Sequence, residues 1–281
     1  MKFLNIVLYS NSSQNNHYDS MKKMTSLYYK SFGEKVKTLY VRYDELDETN
    51  ELEDELTNRK HGKQIQQIND DLIINGKESY IPGILNKTLD TFDYIISENM
   101  LDDYDYCIRT NISTIVNYDI LEAELSKNPI EYYGGGRAMV LNWKACGMED
   151  ESWFGTVFVQ GTSIILSKEA VKLMYSQKDK FHTEFIDDVA FAIFAKEHIP
   201  SSYPPQMIKN GLFKDIPHCI DNDNRHNIEK VKKAISLSKN NTAFYRNKCL
   251  GIHSPNRLLD LIHMKVIIEE LLTNNKSYYI P

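Results

Sequence analysis

The stretch F-L-N-I-V-L-Y, Phe3 to Tyr9, running into S-N-S-S at Ser10 to Ser13, decides the fold. A mostly apolar run ending in small polar residues reads as a buried strand followed by a loop. Working outward, Tyr18–Phe32 sets Met21, Met24, Leu27 and Tyr28 at helical spacing, with Gly33 just beyond as a C-cap. V-K-T-L-Y-V-R-Y, Val36 to Tyr43, is the next strand, and Asp44 follows it. Strand, helix and strand in that order predict a parallel pair with a crossover helix, the opening of an α/β fold.

The pattern continues along the chain. Glu45–Gln67 is rich in charge and poor in apolar residues, which predicts an exposed helix or loop. Asp71–Ile74 reads as a strand. Pro82–Glu98 reads as a helix with Leu85, Leu89, Phe92 and Ile96 on one face. Tyr104–Arg109 is a strand and Asp119–Ser126 a helix. Ile130–Tyr133, Ala138–Leu141, Thr156–Val159 and Ser163–Ser167 read as strands around a glycine-rich turn. Lys168–Tyr175 and Asp187–Glu197 read as helices, Ser201–Pro217 as irregular chain. Asn227–Ser238 and Leu258–Leu272 are the last helices, the second expected to pack back on the sheet. The fold class is therefore α/β, a mixed, mostly parallel sheet flanked by helices in a Rossmann-like layout. No internal repeat or long linker breaks residues 1–281, so a single domain is expected. It falls into two halves, about 1–115 and about 116–281.

Composition narrows the partners. A net charge of −6 argues against nucleic acid, whose phosphates need a basic face, but leaves room for a local basic pocket. Cys107, Cys146, Cys219 and Cys249 form no C-x-x-C pair, so free thiols in a reducing compartment are expected. No stretch is long and apolar enough to span a bilayer, and the first residues lack a cleavage signal. A cytoplasmic protein with no membrane span is the expectation.

The chemistry gathers around E-S-Y-I-P-G-I-L-N-K-T-L, Glu78 to Leu89, and Y-D-Y-C-I-R-T-N-I-S, Tyr104 to Ser113. A second pair is F-V-Q-G-T-S-I-I-L-S, Phe158 to Ser167, and F-I-D-D-V-A-F-A-I, Phe185 to Ile193. The order and spacing resemble the β1,3-galactosyltransferase and fringe group of glycosyltransferases, over roughly residues 70–200. In that group an acidic-x-Tyr stretch leads into a Lys-Thr-Leu helix, matched here by Lys87, Thr88 and Leu89. The next strand ends in an acidic metal-binding triplet. Then come a Tyr-x-x-Gly strand and a helix opening on acidic-Asp-Val, matched by Asp187, Asp188 and Val189. The resemblance implies a GT-A fold and inverting transfer of a sugar from a nucleotide-sugar donor, most often a UDP-sugar, to a hydroxyl acceptor.

Within that reading Asp188, or else Asp187, is the general base. Adjacent helical residues point in different directions, so one of the two faces the substrate. Ser10, Asn11 and Asp44, at strand ends, would line the nucleotide together with Lys87 and Arg109. Gly161 would let the acceptor or donor approach the backbone, and Gly135, in the Gly134-Gly135-Gly136 turn, would lie on the acceptor side.

The chain departs from the group where the triplet should be. It carries Asn111-Ile112-Ser113, whose neutral oxygens hold a hard cation weakly. Asn111 and Ser113 are still placed at the donor. Asp221-Asn222-Asp223 comes too late in the chain and reads as a polar turn. His253 matches the late histidine that completes the group's metal site. Nearby Arg246, Lys248 and Arg257 suggest another solution, in which fixed cations neutralise the departing diphosphate. The cofactor expectation is therefore none required, with manganese or magnesium on His253 as the alternative.

Two other classes remain open. One is a catalytically inactive nucleotide- or carbohydrate-binding protein of the same fold, favoured by the missing triplet and opposed by Asp187-Asp188. The other is a nucleotidyltransferase or methyltransferase, which would carry a glycine-rich turn after the first strand. This chain has Ser-Asn-Ser-Ser-Gln there.

Overall fold

The computed structural model describes residues 1–10, 17–44, 57–60, 63–142, 151–216, 227–248 and 257–273. The chain divides into two compact units, each assembled from three segments. The first holds Met1–Asn11, Lys37–Asn111 and Ile130–Met207; the second holds Ser12–Val36, Ile112–Pro129 and Ile208–Pro281.

The first unit is built on a nine-stranded sheet. Its strands are β1 (Phe3–Leu8), β2 (Val36–Asp44), β3 (Thr57–Lys60), β4 (Lys63–Ile68), β5 (Asp71–Asn75), β6 (Tyr106–Asn111), β8 (Tyr133–Gly135), β11 (Ile164–Ser167) and β12 (Gln206–Met207). They lie in the order β12-β8-β11-β6-β1-β2-β5-β4-β3. β1 runs parallel to β6 and β2 parallel to β5. Asn5 meets Thr38 and Tyr9 meets Val41, so β1 and β2 advance together as the strand–helix–strand opening requires. The flanks turn antiparallel: β11 against β6 and β8 on one side, β4 against β5 and β3 on the other. The sheet is thus mixed, with its parallel block in the centre, where every residue of β1 is buried.

Helices α2 (Gly83–Ser97), α4 (Lys168–Ser176) and α5 (Asp187–His198) cover this sheet. α2 begins where Pro82 stops the extended chain and Ser79 Oγ accepts from the Gly83 N–H at 3.0 Å. Its Leu85, Phe92 and Ile95 join Leu4, Ile6, Val41, Ile74 and Leu166 in one core. α5 is apolar all round from Val189 to Ala195, the mark of a fully buried helix. It packs on β10 (Val157–Val159), which pairs with β9 (Ala138–Val140).

The second unit carries α1 (Tyr18–Lys30), α3 (Tyr118–Leu125), α6 (Ile228–Ser236) and α7 (Leu258–Leu272). Its three-stranded sheet joins β7 (Thr114–Val116), β13 (Phe213–Asp215) and β14 (Phe244–Arg246) in the order β13-β14-β7. Gly33 sits at φ +58°, the left-handed geometry expected of the glycine that ends α1.

Three local expectations are corrected or refined. Within Glu45–Gln67, expected as exposed helix or loop, the described residues form the β3–β4 hairpin. Its sequence conceals it because an edge hairpin buries little: Ile65 and Gln66 are its buried side chains among those described. Ser201–Pro217, expected as irregular chain, supplies β12 and β13. The final helix, expected to pack back on the sheet, packs on α1 and α6 and meets β7 of the smaller, three-stranded sheet.

Candidate active site

Strand polarity brings several of the sequence-derived residues to one edge of the first unit. Asn111 ends β6 opposite Leu8 of β1, Ser10 follows β1, and Asp44 ends β2 opposite Asn75. These are the carboxyl ends of adjacent strands, where open α/β sheets bind ligands. Asp44 is ion-paired with Arg42 at 3.0 Å. Asn11 lies outside the described residues.

Lys87 stands at the same edge with its ammonium committed. It donates to the Tyr9 carbonyl at 2.9 Å, pairs with Glu78 and lies 5.3 Å from the centre of the Tyr43 ring. Glu78 also accepts from the Tyr43 N–H at 3.0 Å. Lys87 and Glu78 together therefore tie the end of β1 to the end of β2. Burial pushes the lysine below its usual range; Glu78 pulls the other way and Arg109 adds to the lowering. Neither Glu78 nor Tyr9 stands out from the sequence as a site residue. The signal is there, since Glu78 opens the acidic-x-Tyr stretch.

Arg109 lies two residues inside β6, buried, opposite Ile6 and Ile164. One terminal nitrogen of its guanidinium donates to the Gly161 carbonyl and the other to the Asp187 carboxylate, itself buried. Arg109 Nε is buried without a partner among the described residues. Asp188 is placed differently. Its Oδ2 accepts from the Gly161 N–H at 3.2 Å and its Oδ1 from the Val189 N–H at 3.0 Å. A single residue, Gly161, is thus held by Arg109 at its carbonyl and by Asp188 at its N–H.

The two carboxylates open α5, and their surroundings differ. Asp187 is locked on Arg109. Asp188 is half-buried, with no cation of its own within ion-pair distance among the described residues. Burial, then repulsion from Asp187, pushes Asp188 up to about 7 from 3.8; the Gly161 and Val189 N–H groups and Arg109 oppose the rise. A carboxylate with that affinity for a proton can take one from a hydroxyl near neutral pH.

Gly161 is glycine for a reason the sequence could not reveal. A Cβ there would lie 2.5 Å from Arg109 Nη1 and 3.5 Å from Asp187 Oδ2. The space belongs to the arginine. Gly135 likewise sits in β8, where a Cβ would come within 2.2 Å of the Ser163 carbonyl and 2.4 Å of Val159. Its small size serves strand packing.

No protein-family model matches the chain, and no curated protein sequence does. Among solved structures, one similar chain is a glycosyltransferase involved in glycosylating the major capsid of PBCV-1. It shares 11% identity, with 94% of this chain and 99% of that chain covered and a TM-score of 0.43. Mouse xyloside xylosyltransferase 1 in its apo form shares 11% identity over 89% of this chain and 98% of that one, with a TM-score of 0.40. A 4-diphosphocytidyl-2C-methyl-D-erythritol synthase shares 11% over 74% and 90%, with a TM-score of 0.41. The chemistry of the site rests on its own residues.

The remaining sequence-derived residues belong to the second unit. Ser113 Oγ accepts from Arg257 at 2.8 Å, and Arg257 is paired with Asp260 at 2.6 Å, both deeply buried. Asn247 donates its N–H to the Ser113 carbonyl at 2.8 Å. Arg246 is paired with Asp215 at 2.9 Å. The Lys248 side chain reaches solvent, but shielding of its ammonium, then the charges of Arg246 and Arg257, lower its hold on a proton, against the pull of Asp260. Among the described residues, Arg246 and Arg257 are each paired with a carboxylate, and Lys248 feels both arginines and Asp260.

Ser113 and Asn111 do not suit a metal ion. Both offer neutral oxygens, and the Ser113 hydroxyl already faces a guanidinium, which would repel a second cation. His253 and Asp221-Asn222-Asp223 lie outside the described residues, as do Cys146, Cys219 and Cys249. Cys107 is a buried free thiol with its proton held tightly by burial.

Proposed function

We propose that this chain is a glycosyltransferase that moves a sugar from a nucleotide-sugar donor, a UDP-sugar in the first instance, to a hydroxyl acceptor with inversion. The observation that carries the reading is the unequal carboxylate pair that opens α5. Asp187 is consumed by Arg109, and Asp188 is held by N–H groups alone with its proton affinity raised to about 7. The motif order resembling the β1,3-galactosyltransferase and fringe group supports it, as does the gathering of Ser10, Asp44 and Asn111 at the carboxyl ends of adjacent strands.

In this reading Asp188 takes the proton of the acceptor hydroxyl while that oxygen attacks the anomeric carbon. The bond from the anomeric carbon to the diphosphate oxygen breaks on the opposite face, and the nucleoside diphosphate leaves with the electron pair. The negative charge that develops on it needs fixed cations, the role that the sequence motifs give to Arg246 and Lys248. No divalent ion is required.

Transfer assays with nucleotide sugars and a panel of simple glycoside acceptors test the reading. Product formed by the parent chain and abolished in Asp188→Asn supports it. Transfer at the parental rate in Asp188→Asn refutes the base assignment.

A further inference from the structure

The two units differ in charge more than the whole chain suggests. Ser12–Val36, Ile112–Pro129 and Ile208–Pro281 hold 17 Lys and Arg against 12 Asp and Glu, a net +5. With the whole chain at −6, the other unit carries −11. Charge asymmetry of this kind marks a basic unit adapted to an anionic surface.

The exposed apolar residues of the basic unit are not scattered. Leu27 on α1 is 56% exposed, Leu258 and Ile262 on α7 are 47% and 38%, and Leu237, directly after α6, is 76%. α7 packs against both α1 and α6, so these residues lie on or next to three helices joined through α7. In the first unit, by contrast, exposed Ile68, Tyr80, Val140 and Met207 sit on separate elements.

Lysines flank Leu27 and lie one helical turn from Leu237 and from Ile262, where Lys265 is paired with Glu269 at 3.7 Å. On α1, Lys23, Leu27 and Lys30 follow one another at helical spacing and are all exposed. On α7 the outward positions read Leu258, Ile262, Lys265, Glu269, while nearly every other residue is buried. On α6, exposed Lys230 and Lys233 precede Leu237 by the same spacing.

We propose that the α1–α7–α6 face is a peripheral docking surface for an anionic phospholipid membrane. Its aliphatic side chains enter the headgroup boundary, and its lysines pair with acidic headgroups. Nucleic acid is the lesser fit, because a phosphate backbone uses the lysines but gives Leu27, Leu258 and Ile262 nothing to bury against. No helix among the described residues is long and apolar enough to cross the bilayer, so the contact is to one leaflet. This proposal is independent of the transferase reading.

The test is flotation of the full chain with phosphatidylcholine vesicles, with and without phosphatidylserine. The expected result is flotation only with phosphatidylserine, released by added salt. Replacing Lys23, Lys30 and Lys233 by Glu should lower partitioning by on the order of a hundredfold or more, about fivefold for each lysine contact removed. Leu258→Ser with Ile262→Ser should lower it about tenfold or more. All five are exposed, so a melting temperature near the parental value verifies folding. Equal flotation with both vesicle types, no flotation at all, or flotation unchanged in both variants would overturn the proposal. So would tight binding to duplex DNA that survives the Leu258 and Ile262 changes, with no vesicle binding.

Discussion

Arg109 occupies the space that a side chain at residue 161 would need: a Cβ on Gly161 would lie 2.5 Å from its Nη1. The arginine donates to the carbonyl of that same glycine, whose N–H donates to Asp188. Crowding at this point would therefore move Asp188, the proposed base. Gly161→Ala should cost about 1–3 kcal/mol through overpacking and lower turnover with it. Arg109→Lys in the same chain removes the clashing nitrogen and should return part of the lost activity. Denaturant melts and transfer rates of the two single variants and the double variant test this coupling; strict additivity of their effects would contradict it.

Asp187 and Asp188 should separate cleanly on mutation. Near neutral pH, Asp188→Asn should not destabilise the fold and should keep nucleotide affinity, but it should lower turnover by roughly 10²–10⁴. Asp187→Asn leaves buried Arg109 without its counter-ion and should destabilise by about 3–5 kcal/mol. Calorimetry, thermal melts and single-turnover rates distinguish the two. Equal destabilisation by both would contradict the division of roles.

The pH dependence follows from Asp188. The proposed mechanism uses its carboxylate, so the rate should climb as pH rises through about 7, with that limb lost in Asp188→Asn. Stability should move the other way. Below 3.8 both folded and unfolded chains hold this proton; between 3.8 and about 7 only the folded chain does. Folding is therefore progressively disfavoured across that window as pH rises, and the loss levels off above it. Asp188→Asn lacks the effect, so its melting temperature relative to the parent should improve from about pH 4 to about pH 8. A constant difference would contradict the raised proton affinity.

What the sequence discloses follows burial and range. The apolar runs of β1, β2 and β6 and the helical spacing in α2 are legible because each buries several of its own residues. The β3–β4 hairpin is hidden because polar edge strands lack that alternation. At the site, the Asp-Asp pair is visible, but its lock is not: Arg109 meets Asp187 across 78 positions and Gly161 across 52. A single sequence gives no sign of such pairings. The same blindness affects Gly161, which reads as room for a substrate although the room is taken by an arginine. Lys87, placed at the donor by its motif, spends its ammonium on Tyr9 and Glu78.

Metal independence has its own test. Transfer should persist in excess EDTA, because Asn111 and Ser113 supply no charge to hold an ion. Lys248→Ala should lower donor affinity or rate by on the order of ten- to a hundredfold, the worth of one hydrogen bond to a charged group. Lys248 suits the test because its side chain reaches solvent, whereas truncating Arg246 would strand Asp215. Complete loss in EDTA, restored by manganese, would move His253 into a metal site.

The most direct measurement for the whole account is titration calorimetry of the parent chain with UDP, GDP, CDP and dTDP in the presence of EDTA. The account predicts saturable binding of UDP, with a melting temperature that rises with UDP concentration by mass action. Failure of all four to bind, with or without manganese, would contradict a nucleotide-sugar-dependent transferase.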